Sequence, residues 1–89
     1  MSIFLLDGKD MTSREVAYDV IAAELSFPEY FGRNLDALYD CLSELPSDTT
    51  ILFVNTALLE EYLGDYAGKF LDCFRDAAGE CGFTLREKR

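Results

Sequence analysis

Two aspartates one helical turn apart are the side chains of this sequence best suited to hold a positively charged partner. Asp36 and Asp40 lie in a segment that begins at Asn34, a favourable helix N-cap, and runs to about Leu45, before Pro46. A helix there places both carboxylates on one face, about 6 Å apart along its axis. Like charges at this spacing destabilise a helix by roughly 0.2–0.5 kcal/mol, and Asp is a poor residue inside a helix. The pair therefore costs the helix some stability.

The same helix has an apolar side. Four leucines fall within about 80° of arc around its axis: Leu35, Leu38, Leu42 and Leu45. Asp36, Asp40 and Ser43 lie across the helix from them, and Tyr39 lies on the border between the two sides. The leucines are therefore expected to face a core, and the aspartates to face outwards.

Three interpretations of the aspartate pair are open: a solvated helix face, a surface that binds a partner, or a carboxylate pair for catalysis or magnesium. Catalysis by two acids usually needs burial that raises one pKa, whereas these acids occupy the exposed side. A magnesium site needs further oxygen ligands or a phosphate substrate, and the sequence supplies no convincing set. The third interpretation is therefore the weakest.

The composition predicts a single acidic domain over 1–89. Hydrophobic residues make up 49% of the chain, including seven Phe and five Tyr, which is enough for one modest core. Seventeen acidic and eight basic residues give a net charge of -9. A field of that sign repels nucleic acids and anionic membranes and speeds encounter with cationic partners, so we expect no nucleic-acid or membrane partner. The alternative, that the charge only maintains solubility, stays open on composition alone.

Catalytic and metal-binding chemistry lack their usual residues. There is no histidine, and the three cysteines, Cys41, Cys73 and Cys81, form no CxxC pair. Ser–His and Cys–His pairs and a structural zinc site are thus unsupported. We expect no enzyme activity, no cofactor and no metal. The apolar run over 2–6 is too short for a secretory leader, so we also expect reduced thiols and a cytoplasmic location.

Three short apolar runs, over 3–6, 51–54 and 83–85, predict buried strands, and two helical segments lie between each successive pair. Strands joined by helical crossovers are usually parallel. The order β-α-α-β-α-α-β therefore predicts an α/β domain with a three-stranded parallel sheet and about four helices packed on it. Each of the four helical segments has a signal for its start and one for its end. The first starts with a capping box at Thr12 and Glu15 and ends at Pro28, and the second starts at Asn34 and ends before Pro46. The third starts at Asn55 or Thr56 and ends at Gly64, and the fourth starts at Asp65 and ends at Gly82.

Residues 27–42 form a long motif, Phe-Pro-Glu-Tyr-Phe-Gly-Arg-Asn-Leu-Asp-Ala-Leu-Tyr-Asp-Cys-Leu. It resembles the signature of the barstar family, intracellular inhibitors of barnase-type ribonucleases. That signature is Pro-Glu-Tyr, an aromatic residue, Gly, any residue, Asn-Leu-Asp-Ala-Leu, an aromatic residue and Asp-Cys-Leu. Residues 74–77 resemble the family's later Phe-Arg-acid-Ala stretch. The resemblance covers the whole chain, strongly in the middle and weakly elsewhere.

The resemblance implies an inhibitor that plugs the cleft of a small basic ribonuclease with its loop and second helix. Asp40 would take the place of an RNA phosphate, Asp36 would pair with cations at the rim, and Tyr30 would pack on the catalytic imidazole. The remaining implied contacts are Gly32, Asn34, Tyr39, Ser43 and the outlying acid Asp76. The free protein is expected to be a monomer.

The chain departs from the family's reference member at three positions. Tyr39 replaces a Trp, Leu45 replaces an aromatic residue, and Asp76 replaces a Glu. The loss of aromatic area at the rim argues against tight binding to barnase itself, and the expected partner is a barnase-like or another small basic ribonuclease. The alternative is a barstar-like interaction module that binds another basic protein without inhibiting a nuclease.

The odd cysteine count predicts three free thiols. Thiol titration of the purified protein, under denaturing and non-reducing conditions with air excluded, should find all three. Detection of a single thiol would show that two of them form a disulfide.

Overall fold

The computed structural model describes all 89 residues and has the predicted order of elements. The strands are β1 (Ser2–Asp7), β2 (Thr49–Val54) and β3 (Thr84–Glu87). The helices are α1 (Arg14–Leu25), α2 (Leu35–Ser43), α3 (Thr56–Leu63) and α4 (Tyr66–Cys81), and a short 3-10 turn, Gly8–Asp10, follows β1. None of the helices is long and apolar enough to span a membrane.

The sheet is entirely parallel, with β2 in the centre and the strands in the order β1-β2-β3. Leu6 pairs with Phe53, and Ile51 pairs with both Phe4 and Leu85. Because side chains alternate along a strand, these residues all lie on one face. The predicted α/β class and the three-stranded parallel sheet are therefore confirmed.

One hydrophobic core fills the space between that sheet face and the helices. Ile51 and Phe53 are completely buried, as are Phe70 and Phe74 of α4. The rings of Phe53 and Phe74 meet edge to face with their centroids 5.3 Å apart, a favoured aromatic geometry. Helix α2 packs against α4, with Leu38 in the core. The helices thus form a layer over one face of the sheet.

Asn34 is the N-cap of α2 as predicted, but two other predicted caps are wrong. Ser13, not Thr12, caps α1, because its Oγ accepts from the backbone N–H of Val16 at 3.2 Å. Asp65 makes no side-chain cap at α4, since its own backbone is already helical (φ -61°, ψ -25°), whereas a capping residue is normally extended. Two boundaries also differ: α2 ends at Ser43 rather than Leu45, and β3 spans 84–87 rather than 83–85.

Asn55 does not cap α3 through its side chain; it joins the ends of two strands. Its backbone is left-handed (φ 54°), and its amide donates to Asp7 Oδ1 at 2.8 Å. Burial favours the neutral Asp7 carboxyl, but hydrogen bonds from Asn55 and from the Lys9 backbone outweigh it and lower the pKa of Asp7. The loop beneath is tight, because a Cβ on Gly8 would lie 2.2 Å from the Asn55 carbonyl oxygen.

This close approach predicts that Gly8→Ala is destabilising. The added methyl group would displace backbone rather than a flexible side chain, at a cost of about 1–3 kcal/mol. Gly79→Ala is the matched control, since a Cβ there meets nothing within 4 Å and Ala favours the helix by roughly 0.4–1 kcal/mol. Urea unfolding midpoints should move in opposite directions. Equal midpoints for Gly8→Ala and wild type would contradict the tight packing.

Candidate protein-binding surface

The start of α2 is fixed by the side chain of Asn34. Its Oδ1 accepts from the backbone N–H of Ala37 at 2.7 Å, and its Nδ2 donates to the Gly32 carbonyl at 3.3 Å. One residue thus satisfies a free amide of the helix and holds the preceding loop against it. A Cβ on Gly32 would lie 3.3 Å from both Ala37 Cβ and Asn34 Nδ2, so Gly32 lets the loop come this close.

The loop before α2 exposes one aromatic ring and buries the next. A turn closed by the Phe31 N–H and the Pro28 carbonyl at 3.0 Å leaves Tyr30 88% exposed. Phe31 is buried against Phe27 and Tyr18, with ring centroids 5.1 and 5.8 Å away. The buried ring anchors the loop, and the exposed ring is available to a partner.

The acids of α2 face outwards as the helix periodicity predicts. Asp36 and Asp40 are exposed, whereas Leu38 and Leu42 are completely buried on the other side. Leu35 and Leu45 are half-buried against the core.

No cation of the chain pairs with the predicted acidic contacts Asp36, Asp40 and Asp76. Six other carboxylates do have ion pairs: Asp7, Asp19, Asp48, Glu60, Asp72 and Glu87. Arg33, the cation nearest in sequence, is turned away by a left-handed backbone (φ 52°) and pairs with Asp19 of α1. The structure thus leaves the surface acids free for an external cation.

Helix α4 extends this acidic surface. Tyr39 of α2 donates a short hydrogen bond to Glu80 Oε2 of α4, and Cys73 Sγ lies 3.6 Å from the Leu35 carbonyl. Burial, together with the nearby charges of Asp76 and Asp36, raises the pKa of Cys73 to about 11. Both acids therefore border the same seam between the two helices.

The structure brings most of the predicted residues to one side of the molecule. Asp36, Tyr39, Asp40 and Asp76 border α2 and α4, and Tyr30, Gly32 and Asn34 lie at the entry to α2. Ser43 is exposed, but its Oγ donates to the Asp40 carbonyl at 2.6 Å, which occupies its proton within the helix.

Two further acids belong to this surface and were not predicted. Glu80 follows Asp76 by four residues on α4, and Glu44 follows Asp40 by four residues on α2. Charge from Glu44 and Asp40 adds to burial in raising the pKa of Cys41. The spacing of four was the available signal for both. The contact between Tyr39 and Glu80 had none, because it joins residues 41 positions apart.

The surface offers hydrogen-bond acceptors and no activated nucleophile. All three cysteines are unpaired, and burial keeps Cys41 and Cys73 in the thiol form by raising their pKa values. No three His, Cys, Asp or Glu side chains are grouped so as to hold a metal ion. The arrangement suits recognition of cations by carboxylates, with Tyr30 as an aromatic contact.

Fold and surface together define a small α/β protein with an acidic binding surface across two helices. Comparison with known proteins gives the family: the sequence pattern of "Barstar (barnase inhibitor)" matches residues 1–89. The chain is also 39% identical over 83 residues to the "Putative ribonuclease inhibitor YrdF" of Bacillus subtilis (strain 168), covering 90% of this chain and 89% of that protein. The chain belongs to the barstar family, which supports ribonuclease inhibition as its general function. Proteins of this family are inhibitors, not enzymes.

The contact between Tyr39 and Glu80 predicts a pH dependence of stability. The hydrogen bond to Glu80, with lesser effects of burial and charge, raises the pKa of Tyr39 to about 12 from an ordinary value near 10. The folded protein therefore holds this proton more tightly than the unfolded chain. The resulting stabilisation is complete below about pH 10 and is lost as the pH rises towards 12.

The difference in urea midpoint between wild type and Tyr39→Phe should therefore be larger at pH 8 than at pH 11. Tyr62→Phe is the control for other alkaline effects, because the Tyr62 hydroxyl is partly exposed and makes no hydrogen bond within the chain. A difference that is the same at both pH values would contradict the contact.

Proposed function

We propose that this protein inhibits a small basic ribonuclease by occupying its phosphate-binding cleft with the acidic surface of α2 and α4. The observation that carries the proposal is that Asp36, Asp40 and Asp76 are exposed, have no cationic partner, and lie together on the side of the molecule formed by α2 and α4. Free carboxylates on a rigid support match a cleft built to bind phosphates. Membership of the barstar family and the name of the Bacillus relative support the same target class.

Each predicted residue has a role in this proposal. Asp40, in the middle of the exposed face of α2, enters the phosphate site of the enzyme, and Asp36 meets cations at the rim. Tyr30, which is 88% exposed on an anchored loop, packs against the catalytic imidazole. Asp76 extends the acidic contact from α4. Gly32 and Asn34 fix the position of the loop relative to the helix.

Tyr39 and Ser43 line the contact in a more restricted way. The Tyr39 hydroxyl is already bound to Glu80, so its ring edge, and not its hydroxyl, is available to the enzyme. Ser43 donates its proton to its own helix and offers only lone pairs. A tight complex thus depends chiefly on the carboxylates and on Tyr30.

The net charge of -9 suits this function because it steers a basic enzyme towards the inhibitor. The inhibitor is located in the cytoplasm in this proposal, where it would protect the cell from a ribonuclease of its own or from a neighbouring cell. It needs no cofactor for this role.

The decisive variant is Asp40→Ala. Loss of one partner from a desolvated charge pair costs about 2–5 kcal/mol, or roughly 30-fold to several-thousand-fold in Kd. The fold should be unaffected or slightly more stable, because Ala favours the helix and the like charge of Asp36 is relieved. This result distinguishes a binding residue from a structural one. Only substitution of a binding residue weakens the complex and leaves the urea midpoint unchanged.

The measurement uses barnase and a ribonuclease captured on immobilised wild-type protein from culture supernatant of the source organism. Kd values and residual ribonuclease activity are measured for wild type and Asp40→Ala, with Asp65→Ala as the control. Asp65 is exposed and unpaired, and its substitution changes the net charge equally. Binding of Asp40→Ala as tight as wild type would refute the phosphate-mimic role. A complex that forms without loss of ribonuclease activity would instead favour a binding module.

A further inference from the structure

The second face of the sheet carries four aliphatic side chains that are not part of the hydrophobic core. Ile3 and Leu5 of β1 pair in register with Thr50 and Leu52 of β2, and they point away from the face that carries Leu6. Ile3 is 61% exposed and Leu5 is 54% exposed. Leu52 and Val54, on the same face of β2, are half-buried but do not pack against the core.

An open face of this kind is unusual for a parallel sheet. Parallel sheets are found almost only with helices on both faces, because their crossover helices normally cover them. Here the helices cover the side of Ile51 and Phe53, which are completely buried, and α1 approaches the other face at its border beside Leu5. The missing layer in this architecture is a helix.

Two unpaired cations lie along one border of the open face. Arg86 of β3 pairs in register with Leu52, and its neighbours Leu85 and Glu87 point to the helix side, where Glu87 binds Arg75. Lys88 continues the alternation, and its backbone is bonded to the end of β2. Neither Arg86 nor Lys88 has an ion pair, whereas four of the eight cationic side chains do: Lys9, Arg33, Arg75 and Arg89.

The opposite border is acidic. An open groove of about 550 Å³ runs between β1 and α1, lined by three apolar and four charged residues: Leu5, Val20, Ala23, Asp7, Lys9, Asp10 and Glu24. Lys9 pairs with Asp7, so Asp10 and Glu24 leave the groove with a net negative charge. Glu24 also accepts from the Leu5 N–H at 3.3 Å, which occupies the edge of β1 and leaves the face, rather than the edge, for docking. A partner therefore meets cations on one side and carboxylates on the other.

We propose that this face docks an amphipathic helix of another protein, with aliphatic residues towards the sheet and carboxylates along the edge that meets Arg86 and Lys88. The face measures about 15 by 20 Å from strand spacing and rise, which matches a helix about 10 Å wide. Stable interfaces bury about 800 Å² on each partner, so a contact confined to this face is expected to be weak and transient. Two copies at -9 would repel each other.

This site is separate from the acidic surface of α2 and α4. Leu38 and Leu42 bury the inner side of α2 in the same core as Ile51, and the acids point away from it. The two surfaces therefore lie on opposite sides of the core, and a ribonuclease on one leaves the other accessible. The proposal is independent of the target of the acidic surface.

The probe is an 18-residue amphipathic peptide of Leu, Ala and Glu, added to isotope-labelled protein at 0.15 M salt. A scrambled peptide of equal composition is the control. Backbone NMR shifts should change on β1, β2 and β3, and not on α2, for the amphipathic peptide alone. Because the whole protein repels an acidic peptide, binding here would require local complementarity.

Arg86→Glu should weaken binding of this peptide by at least about tenfold, since it places like charges opposite each other. Lys69→Glu, an exposed and unpaired position on α4, changes the net charge equally and should leave Kd within about twofold. Leu5→Thr, which keeps a strand-forming residue, should also weaken binding with an unchanged urea midpoint.

Three outcomes would overturn the proposal. The first is no shift on the sheet with the amphipathic peptide. The second is an equal effect of Arg86→Glu and Lys69→Glu, which would reduce the interaction to net charge. The third is self-association in sedimentation equilibrium that Leu5→Thr abolishes, which would make a second copy the occupant.

Discussion

The rest of this structure depends on the burial of Leu38 and Leu42 in the core. Full burial of a leucine contributes roughly 1.5–3 kcal/mol, whereas the like charges of Asp36 and Asp40 cost a few tenths. The leucines therefore determine how α2 is rotated, and the aspartates on its other side must face solvent. An acidic surface thus forms because the opposite side of the same helix is held in the core.

Contacts between α2 and its neighbours turn this exposed pair into a defined surface. Asn34 fixes the first turn, and Phe31 anchors the loop from which Tyr30 projects. The hydrogen bond between Tyr39 and Glu80 joins α2 to α4 beside Asp76. The carboxylates are then presented by two packed helices instead of a flexible segment, so little conformational entropy is lost when a partner binds.

The distribution of charge gives the molecule two different sides. Four of the eight cationic side chains pair within the chain, and none of them pairs with Asp36, Asp40 or Asp76. Arg86 and Lys88, also unpaired, border the open sheet face. Both sides follow from the regular alternation of side-chain directions, with the period of a helix in α2 and the period of a strand in β3. A single core of buried side chains separates them.

Local pattern alone determined the element order, the outward position of Asp36 and Asp40 and the cap at Asn34, because each depends on residues close in sequence. The parallel sheet followed from that order, since strands joined by helical crossovers are usually parallel. Local pattern misplaced the caps at Thr12 and Asp65. Near these helix starts more than one residue could cap the helix, and the tertiary packing decides where the helix begins. Only the tertiary structure decided three contacts: the hydrogen bond from Asn55 to Asp7, the hydrogen bond from Tyr39 to Glu80, and the ion pair of Arg33 with Asp19. These contacts join residues 14 to 48 positions apart, and only the packing of helices and strands brings such residues within hydrogen-bonding distance.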